Sequence, residues 1–369
     1  NRVKPMIACE AKQRARPAQV DVVTVVDFRS AHASRYEAQV LLFMASWIQN
    51  TGRCRANPLH IAYLGDVPAS VTRMARVVSA QLHPVTPMHW RTDHFVGNKL
   101  RGLEVPAETD HILLLDTDLL FLGDFSEILR YRGVLAASLD DHPKVSMELW
   151  RQIYAGFNEP LPAERRPCML AESRLPLTPR AWARYQVPKE ELRATLPYFN
   201  GGVVMVPTAW KLQTRWSNAY HKIAQVIEDL PARNRALWHS DQAALAVAIQ
   251  ELRGEGKKVQ TLPTEMHTRW RSLFANTIPL ESIKLLHLTT FLHSLQGSRL
   301  TKPRLRAAVK DYFTAKMTRR MRRMAMGHLL EFRPHLGCRR YRQGKLNCAA
   351  LSRTVLDLCE HVVAPVLET

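Results

Sequence analysis

The chain has few cysteines and few acids. Six cysteines are scattered over 369 residues, and no two form the C-x-x-C pair that a structural zinc site or a dithiol redox motif requires. Sparse usage of this kind suits a reducing compartment, with a disulfide within the tail as the alternative. No apolar run approaches the roughly 20 residues needed to cross a bilayer. The sequence begins at Asn1 rather than methionine, which leaves a leader or an upstream anchor open. Internal repeats and recognised nucleic-acid motifs are also missing. The shortage of acids is the sharpest: 33 Asp+Glu stand against 52 Lys+Arg, a formal charge of +19. Such a field draws nucleic acid, anionic lipid and phosphorylated small molecules alike.

What is present is a large hydrophobic share, 46% of residues, enough for one large domain with a substantial core. After a polar, basic lead-in over residues 1–20, the run Asp21-Val22-Val23-Thr24-Val25-Val26 reads as a buried strand. Tyr36, Val40, Phe43, Met44 and Trp47 share one face of a helix ending near Asn50, with Gly52 as its left-handed cap. A strand over His60–Leu64 and a helix over Pro68–Leu82 continue a β-α-β-α order. That order predicts an α/β fold, a mostly parallel sheet flanked by helices. Further strands are expected at Ile112–Leu115, Val134–Ser138 and Gly202–Val206, and short ones near Val259 and Leu285. Helices are expected over Thr208–Leu230 and Ser240–Leu252. Residues of about 158–198, rich in Pro and Arg, read as an irregular insertion with a short helix near Glu190.

The most informative motif is Asp116-Thr117-Asp118, at the end of the aliphatic strand. Ligands of open α/β sheets bind beyond the carboxyl ends of the strands. Two carboxylates one residue apart there can converge on a hard divalent cation such as Mg²⁺ or Mn²⁺. The plainer reading is two solvated acids closing a strand. Gly201 and Gly202 allow close backbone approach to a ligand, and Asn200 beside them can aim its amide at sugar hydroxyls. As an N-cap, Ser240 would set Asp241 and Gln242 in a first helical turn facing the cleft. An Asp at that position also simply favours the helix dipole.

Four blocks together resemble a family. Asn98-Lys99-Leu100 through Asp116-Thr117-Asp118 is similar to the metal-binding segment of family-8 and related GT-A-fold glycosyltransferases. Tyr198-Phe199-Asn200-Gly201-Gly202-Val203-Val204-Met205-Val206 resembles their F-N-x-G-V-M-V segment, and His239-Ser240-Asp241-Gln242 their D-Q helix start. His287, after Leu285-Leu286, stands where the family places a late metal-binding histidine. The resemblance covers about Asp21 to Pro303. It implies a GT-A domain over residues 21–298 and a metal-dependent transferase using a nucleotide-diphosphate sugar, a UDP-sugar in first place. The acceptor implied is a glycan, lipid-linked or protein hydroxyl.

By the same resemblance, Asp116, Asp118 and His287 hold Mn²⁺ or Mg²⁺. Asp27 contacts the nucleotide base, Lys99 approaches the donor phosphates and Asp140 faces the donor sugar or the acceptor. Asn200, Gly201 and Gly202 line the donor site, with Asp241 and Gln242 the catalytic candidates. The sequence departs from the family after His287. Leu288-Thr289-Thr290 follows directly, Gly297 and Lys302-Pro303 come later, and His293 is a competing ligand. The third metal ligand and the lysine that clamps the diphosphate therefore stay open.

Two other readings weigh against this one. Aspartyl phosphohydrolases also carry D-x-D, but after the first core strand and with Thr or Val two residues on; here Leu119-Leu120 follow. A non-catalytic basic module binding nucleic acid or a membrane surface rests on residues 299–369. Fifteen Lys/Arg lie between Arg299 and Lys345, opposed only by Asp311 and Glu331. Aromatics are few there, which argues against nucleic acid. Val309, Phe313, Met317, Met321 and Met324 share a helical face ringed by arginines, which predicts either an anionic-membrane contact or packing on the catalytic domain. The expected location is the cytoplasm or the cytoplasmic face of a membrane, or a Golgi-type lumen if an anchor precedes this chain.

Overall fold

The computed structural model describes residues 20–29, 32–88, 95–140, 145, 147–164, 196–228, 240–269, 279–288, 291–295, 299–316, 319 and 334–368. The lead-in and most of the 158–198 segment, including the expected helix near Glu190, lie outside the described residues, as do Met317, Met321 and Met324.

Seven strands form the central sheet: β1 (Asp21–Asp27), β2 (Leu59–Leu64), β3 (Gln81–Pro84), β4 (His111–Leu115), β6 (Leu135–Leu139), β7 (Phe199–Pro207) and β8 (Val259–Thr261), in the order β3-β2-β1-β4-β7-β6-β8. Six run the same way and β7 alone is reversed, antiparallel to both β4 and β6. The expected mostly parallel α/β arrangement is therefore what the chain forms. Three further strands, β5 (Leu119–Phe121), β9 (Thr268–Arg269) and β10 (Leu285–His287), make a small second sheet in the order β5-β10-β9.

The β-branched and aliphatic runs are continuous because both faces of the sheet are covered. Val22, Val26, Leu113, Leu115, Val203 and Met205 enter one apolar cluster. Val23, Ile112, Leu114, Val204 and Val206 enter the other. Helices α1 (Ala33–Asn50) and α2 (Ala69–Val78) cover the first face, and Phe43 and Trp47 of α1 meet Phe121 of β5 edge-on. Helices α3 (Met147–Gly156), α4 (Leu212–Glu228) and α5 (Ser240–Gly254) cover the second.

The differences from expectation are local. Helix α2 stops at Val78, where Ser79 turns left-handed (φ 57°); the residues expected to finish it form edge strand β3, whose exposed pattern carries no alternation. Lys211, also left-handed at φ 52°, splits the helix expected from Thr208 into a short 3-10 turn and α4. Helix α3 and strand β5 were not legible in advance.

The C-terminal region folds back on the sheet. Helices α6 (Lys302–Asp311), α7 (Pro334–Leu358) and α8 (Ala364–Glu368) send Leu305, Val309, Leu351, Val355 and Val366 into the same cluster as α1, together with Tyr312 and Phe313. The Arg73 guanidinium of α2 donates two hydrogen bonds, 2.9 and 2.7 Å, to the carbonyl of Val366. Lys302 pairs with Glu360 and Glu368. The described part of the apolar stripe, Val309 and Phe313, is thus used internally.

Candidate functional site

The reversed strand assembles the site. Six strands end at one edge of the sheet, and β7 begins there, so its first residues, Asn200-Gly201-Gly202, meet the end of β4. Leu115 pairs with Val203, and the Asp116 N–H donates to the Gly202 carbonyl at 3.0 Å. On its other side β7 slips: Ala137 pairs with Val204, but the next residue, Ser138, pairs with Asn200. Gly201 and Gly202 are thereby released from β6 at the strand ends, a bulge of the kind found beside active sites. A Cβ built on Gly202 would stand 3.0 Å from Asp116 Oδ2 and 3.2 Å from His287 Cε1. Glycine is what leaves that space open.

The chain bends after Asp116 into β5, and the small sheet then carries His287 to the acids. In β10 His287 lies opposite Leu119, and the Leu288 N–H donates to the Asp118 carbonyl at 2.9 Å. His287 Nε2 is 3.1 Å from Asp118 Oδ1 and 4.0 Å from Asp116 Oδ2. One ligand atom from each of Asp116, Asp118 and His287 falls within 4.8 Å of the others. His293, the competing candidate, instead contacts an Arg35 guanidinium nitrogen through Nε2 at 2.9 Å.

Lys99 approaches from the 3-10 helix Phe95–Glu104. Gly102 lets that helix lie directly on the sheet, since a Cβ there would be 2.7 Å from Leu114 Cδ1. Lys99 Nζ stands 2.9 Å from Asp116 Oδ1 and 3.2 Å from Asp241 Oδ2. Burial works against the ammonium, yet Asp116 and Asp241 outweigh it and hold Lys99 above its ordinary pKa. Burial, aided by repulsion from Asp118, raises the Asp116 carboxyl against the pull of Lys99. Burial would raise Asp118 as well, but His287 and its hydrogen bond outweigh it and hold Asp118 low.

Asp241 lies in the first turn of α5 and its backbone carbonyl accepts from Trp216 Nε1 at 2.7 Å. Ser240 is itself the first helical residue rather than the one before it. Gln242 is buried, and its Oε1 has no hydrogen-bond partner among the described residues. Asp27 closes β1 and accepts from Asn98 at 3.0 Å and from the Arg29 guanidinium at 2.8 Å. Asp140 is buried beneath Arg269, which donates to Oδ1 at 2.8 Å and to the Leu139 carbonyl at 2.8 Å. Asn200 sends its amide to Asp140 at 3.4 Å and accepts the Gly202 N–H at 2.8 Å.

Asp116, Asp118, Lys99, Gly202, Asp241 and His287 thus meet in one place, with Asn200 and Asp140 alongside, while Asp27 is hydrogen-bonded to Asn98, the chain neighbour of Lys99. Sequence reasoning missed Arg269, Trp216 and His267. The last stacks on His287, with His267 Nε2 2.9 Å from His287 Nδ1, and burial together with His287 pushes it well below the usual imidazole range. No periodicity or motif marks any of the three.

Comparison with curated proteins finds no match. Among solved structures, similarity extends to the glycosyltransferase GlyE of Streptococcus pneumoniae TIGR4, at 14% identity over 81% of this chain and 64% of that one, with a TM-score of 0.40. The present chain therefore spans less than two thirds of GlyE. An active-site mutant of LgtC aligns at 13% identity over 72% of this chain and 86% of its own, TM-score 0.42. Mouse xyloside xylosyltransferase 1 aligns at 12% identity over 73% and 98%, TM-score 0.38. The family model of the Rhodobacterales glycosyltransferase domain matches residues 28–253, more than half of the sequence, and the chain belongs to that family.

Proposed function

We propose that this protein is a metal-dependent glycosyltransferase moving a sugar from a nucleotide-diphosphate donor, a UDP-sugar in first place, to the hydroxyl of a glycan, lipid-linked or protein acceptor. The observation that carries the reading is the convergence of Asp116, Asp118 and His287 within 4.8 Å, next to the Lys99–Asp241 pair, at the carboxyl edge of an α/β sheet. The two carboxylates suit Mn²⁺ or Mg²⁺, and the lack of a side chain at Gly202, whose Cβ would stand 3.0 Å from Asp116 Oδ2 and 3.2 Å from His287 Cε1, keeps that side of the group uncrowded. When bound, the cation supplies Lewis-acid charge against the departing nucleoside diphosphate.

The chain's own groups do the rest. Asp27, oriented by Asn98, takes the base end of the nucleotide. Lys99 carries fixed positive charge towards the phosphates, as preorganised electrostatic stabilisation requires. The backbone at Gly201 and Gly202 admits the donor closely, while Asn200 and Asp140, held by Arg269, face the sugar or the acceptor. Asp241 stands beside the anomeric carbon. In a retaining reaction it stabilises the oxocarbenium-like species; in an inverting one it takes the acceptor proton. The free Oε1 of Gln242 accepts from a sugar hydroxyl.

In this reading residues 21–298 are the catalytic domain and 299–369 a basic extension, with the 158–198 insertion choosing the acceptor. The charge of +19 favours an anionic acceptor at the cytoplasmic face of a membrane, and nucleic acid is not expected. No helix among the described residues is long and apolar enough to cross a membrane. The test is nucleoside diphosphate release from a panel of UDP- and GDP-sugars, with Mn²⁺ or EDTA, for the native chain and Asp118→Ala. Release from one donor, dependent on Mn²⁺ and lost in the variant, supports the proposal. No release, together with no Mn²⁺ or nucleotide binding by calorimetry, overturns it.

A further inference from the structure

His267 has no hydrogen bond or ion pair with either of the two acids among the described residues, yet it lies directly against the proposed histidine ligand. It ends the 3-10 turn Thr264–His267 and leads directly into β9. Strand β9 pairs in parallel with β10, Thr268 against Leu286 and Arg269 against His287. The turn is anchored at both ends. Thr268 Oγ1 donates to the Thr264 carbonyl at 2.8 Å, and the Lys284 N–H donates to the Glu265 carbonyl at 2.9 Å. The His267 ring therefore has little freedom. It is 3% exposed and lies 20° from parallel to His287, with its Nε2 2.9 Å from His287 Nδ1.

A hydrogen bond between the two facing nitrogens uses one proton, carried by either ring. Were it on His267 Nε2, His287 would hold its own proton on Nε2, the atom that looks towards Asp118 Oδ1 at 3.1 Å. A cation between the acids needs a lone pair at that atom, because a neutral imidazole binds metal only through its unprotonated nitrogen. The proton must then sit on His287 Nδ1, and Nδ1–H needs a buried acceptor. His267 Nε2 supplies it, with the His267 proton then on Nδ1, which has no hydrogen-bond partner among the described residues. We propose that His267 is a positioning residue that accepts the His287 Nδ1 proton, fixing the tautomer in which His287 Nε2 faces the cation. The inference rests on the metal reading above and deepens it.

The same short segment serves the other wall of the cleft, since Arg269, two residues after His267, holds Asp140. A plain packing role for His267 predicts that shape alone matters. An orienting role predicts that the acceptor atom matters, and outer-shell partners of this kind change metal affinity by about 10–100-fold.

The test uses the full chain and Mn²⁺ alone as probe, with free Mn²⁺ read by electron paramagnetic resonance. His267→Leu keeps an apolar side chain of similar bulk and removes the acceptor; His267→Gln restores one. The expected result is Mn²⁺ affinity weakened by about 10–100-fold in the leucine variant and largely recovered in the glutamine variant, with thermal midpoints measured for both. Equal affinity in native and leucine proteins overturns the positioning role while leaving the metal site intact. No Mn²⁺ binding by the native chain overturns the metal reading and this inference with it, and Asp118→Ala distinguishes specific from stray binding. Should the leucine variant not fold, ¹⁵N spectra of the native protein with Mg²⁺ decide: a proton on His287 Nδ1 supports the assignment, and one on Nε2 refutes it.

Discussion

Lys99 is joined to Asp241 at 3.2 Å, so a residue before the D-x-D strand and one far along the chain, in the first turn of α5, form one electrostatic unit. Lys99→Met should leave both Asp241 and Asp116 without their cation. Loss of a preorganised charge of this type lowers turnover by about 10²–10³-fold. The check is donor turnover at saturating Mn²⁺, with the folded state verified by circular dichroism. A loss below about threefold would remove Lys99 from the reacting centre.

The Arg269–Asp140 pair makes a prediction about stability. The Asp140 side chain is 1% exposed and that of Arg269 11%. Breaking a buried pair by removing one member costs about 3–5 kcal/mol. Arg269→Met should therefore destabilise strongly, and Asp140→Asn added to it should recover part of the loss. Urea denaturation of the two single variants and the double reads the coupling directly. Additive losses would mean that the pair is not a unit.

These two pairs mark how far the sequence could be read. Asp116, Asp118, Gly202, Asp241 and His287 could be found because each closes or opens a strand or helix with a strong hydrophobic signature. The apolar runs Ile112–Leu115 and Val203–Val206 place them at one edge once the sheet order is guessed. Arg269 sits on a strand of two residues and His267 ends the four-residue turn before it, both too short for any period to show, and they matter only through contacts with residues far away in sequence. Strand β3 was lost for a related reason: at the sheet edge it has no alternation between buried and exposed positions. That His287 rather than His293 lies beside the acids also needed the second sheet, because its register carries His287 there.

Gly202→Ala and Gly201→Ala should differ. A methyl on Gly202 would meet Asn200 Oδ1 at 2.8 Å, Asp116 Oδ2 at 3.0 Å and His287 Cε1 at 3.2 Å, whereas one on Gly201 would meet Lys99 Nζ at 3.3 Å. The first set includes contacts at or below 3.0 Å with side chains of the proposed metal group and its neighbour; the second, with Trp216 at 3.5 Å beside it, is close to ordinary contact. Overpacking of the first kind costs about 1–3 kcal/mol, so Mn²⁺ affinity should fall about tenfold or more in Gly202→Ala. In Gly201→Ala it should stay within about threefold. Equal effects in a titration followed by electron paramagnetic resonance would argue against the cradle.

Phe313, 2% exposed, packs edge-on against Tyr312 and Phe291. Phe313→Ala should destabilise the whole chain by about 3–5 kcal/mol, read as a lower urea midpoint. If the stripe served lipid instead, the same substitution would spare stability and abolish flotation with anionic vesicles.

Three buried thiols give a pH dependence. Burial pushes Cys54, Cys348 and Cys359 each up to about 12, whereas an unfolded cysteine titrates near 8.5, approximately. Between those values the folded chain keeps protons that the unfolded chain gives up. The associated stability is therefore complete below about pH 8.5 and is lost as pH rises towards 12. Iodoacetamide at about pH 8.5 should modify these three positions only on unfolding, as peptide mass spectrometry would show. The fall in urea midpoint from about pH 8.5 to 10.5 should be shallower in a variant with all three changed to alanine, because tyrosine and lysine titration remain in both proteins while the thiol contribution is gone. Equal slopes would place the thiols in contact with water, against their burial beneath α1 and the C-terminal helices.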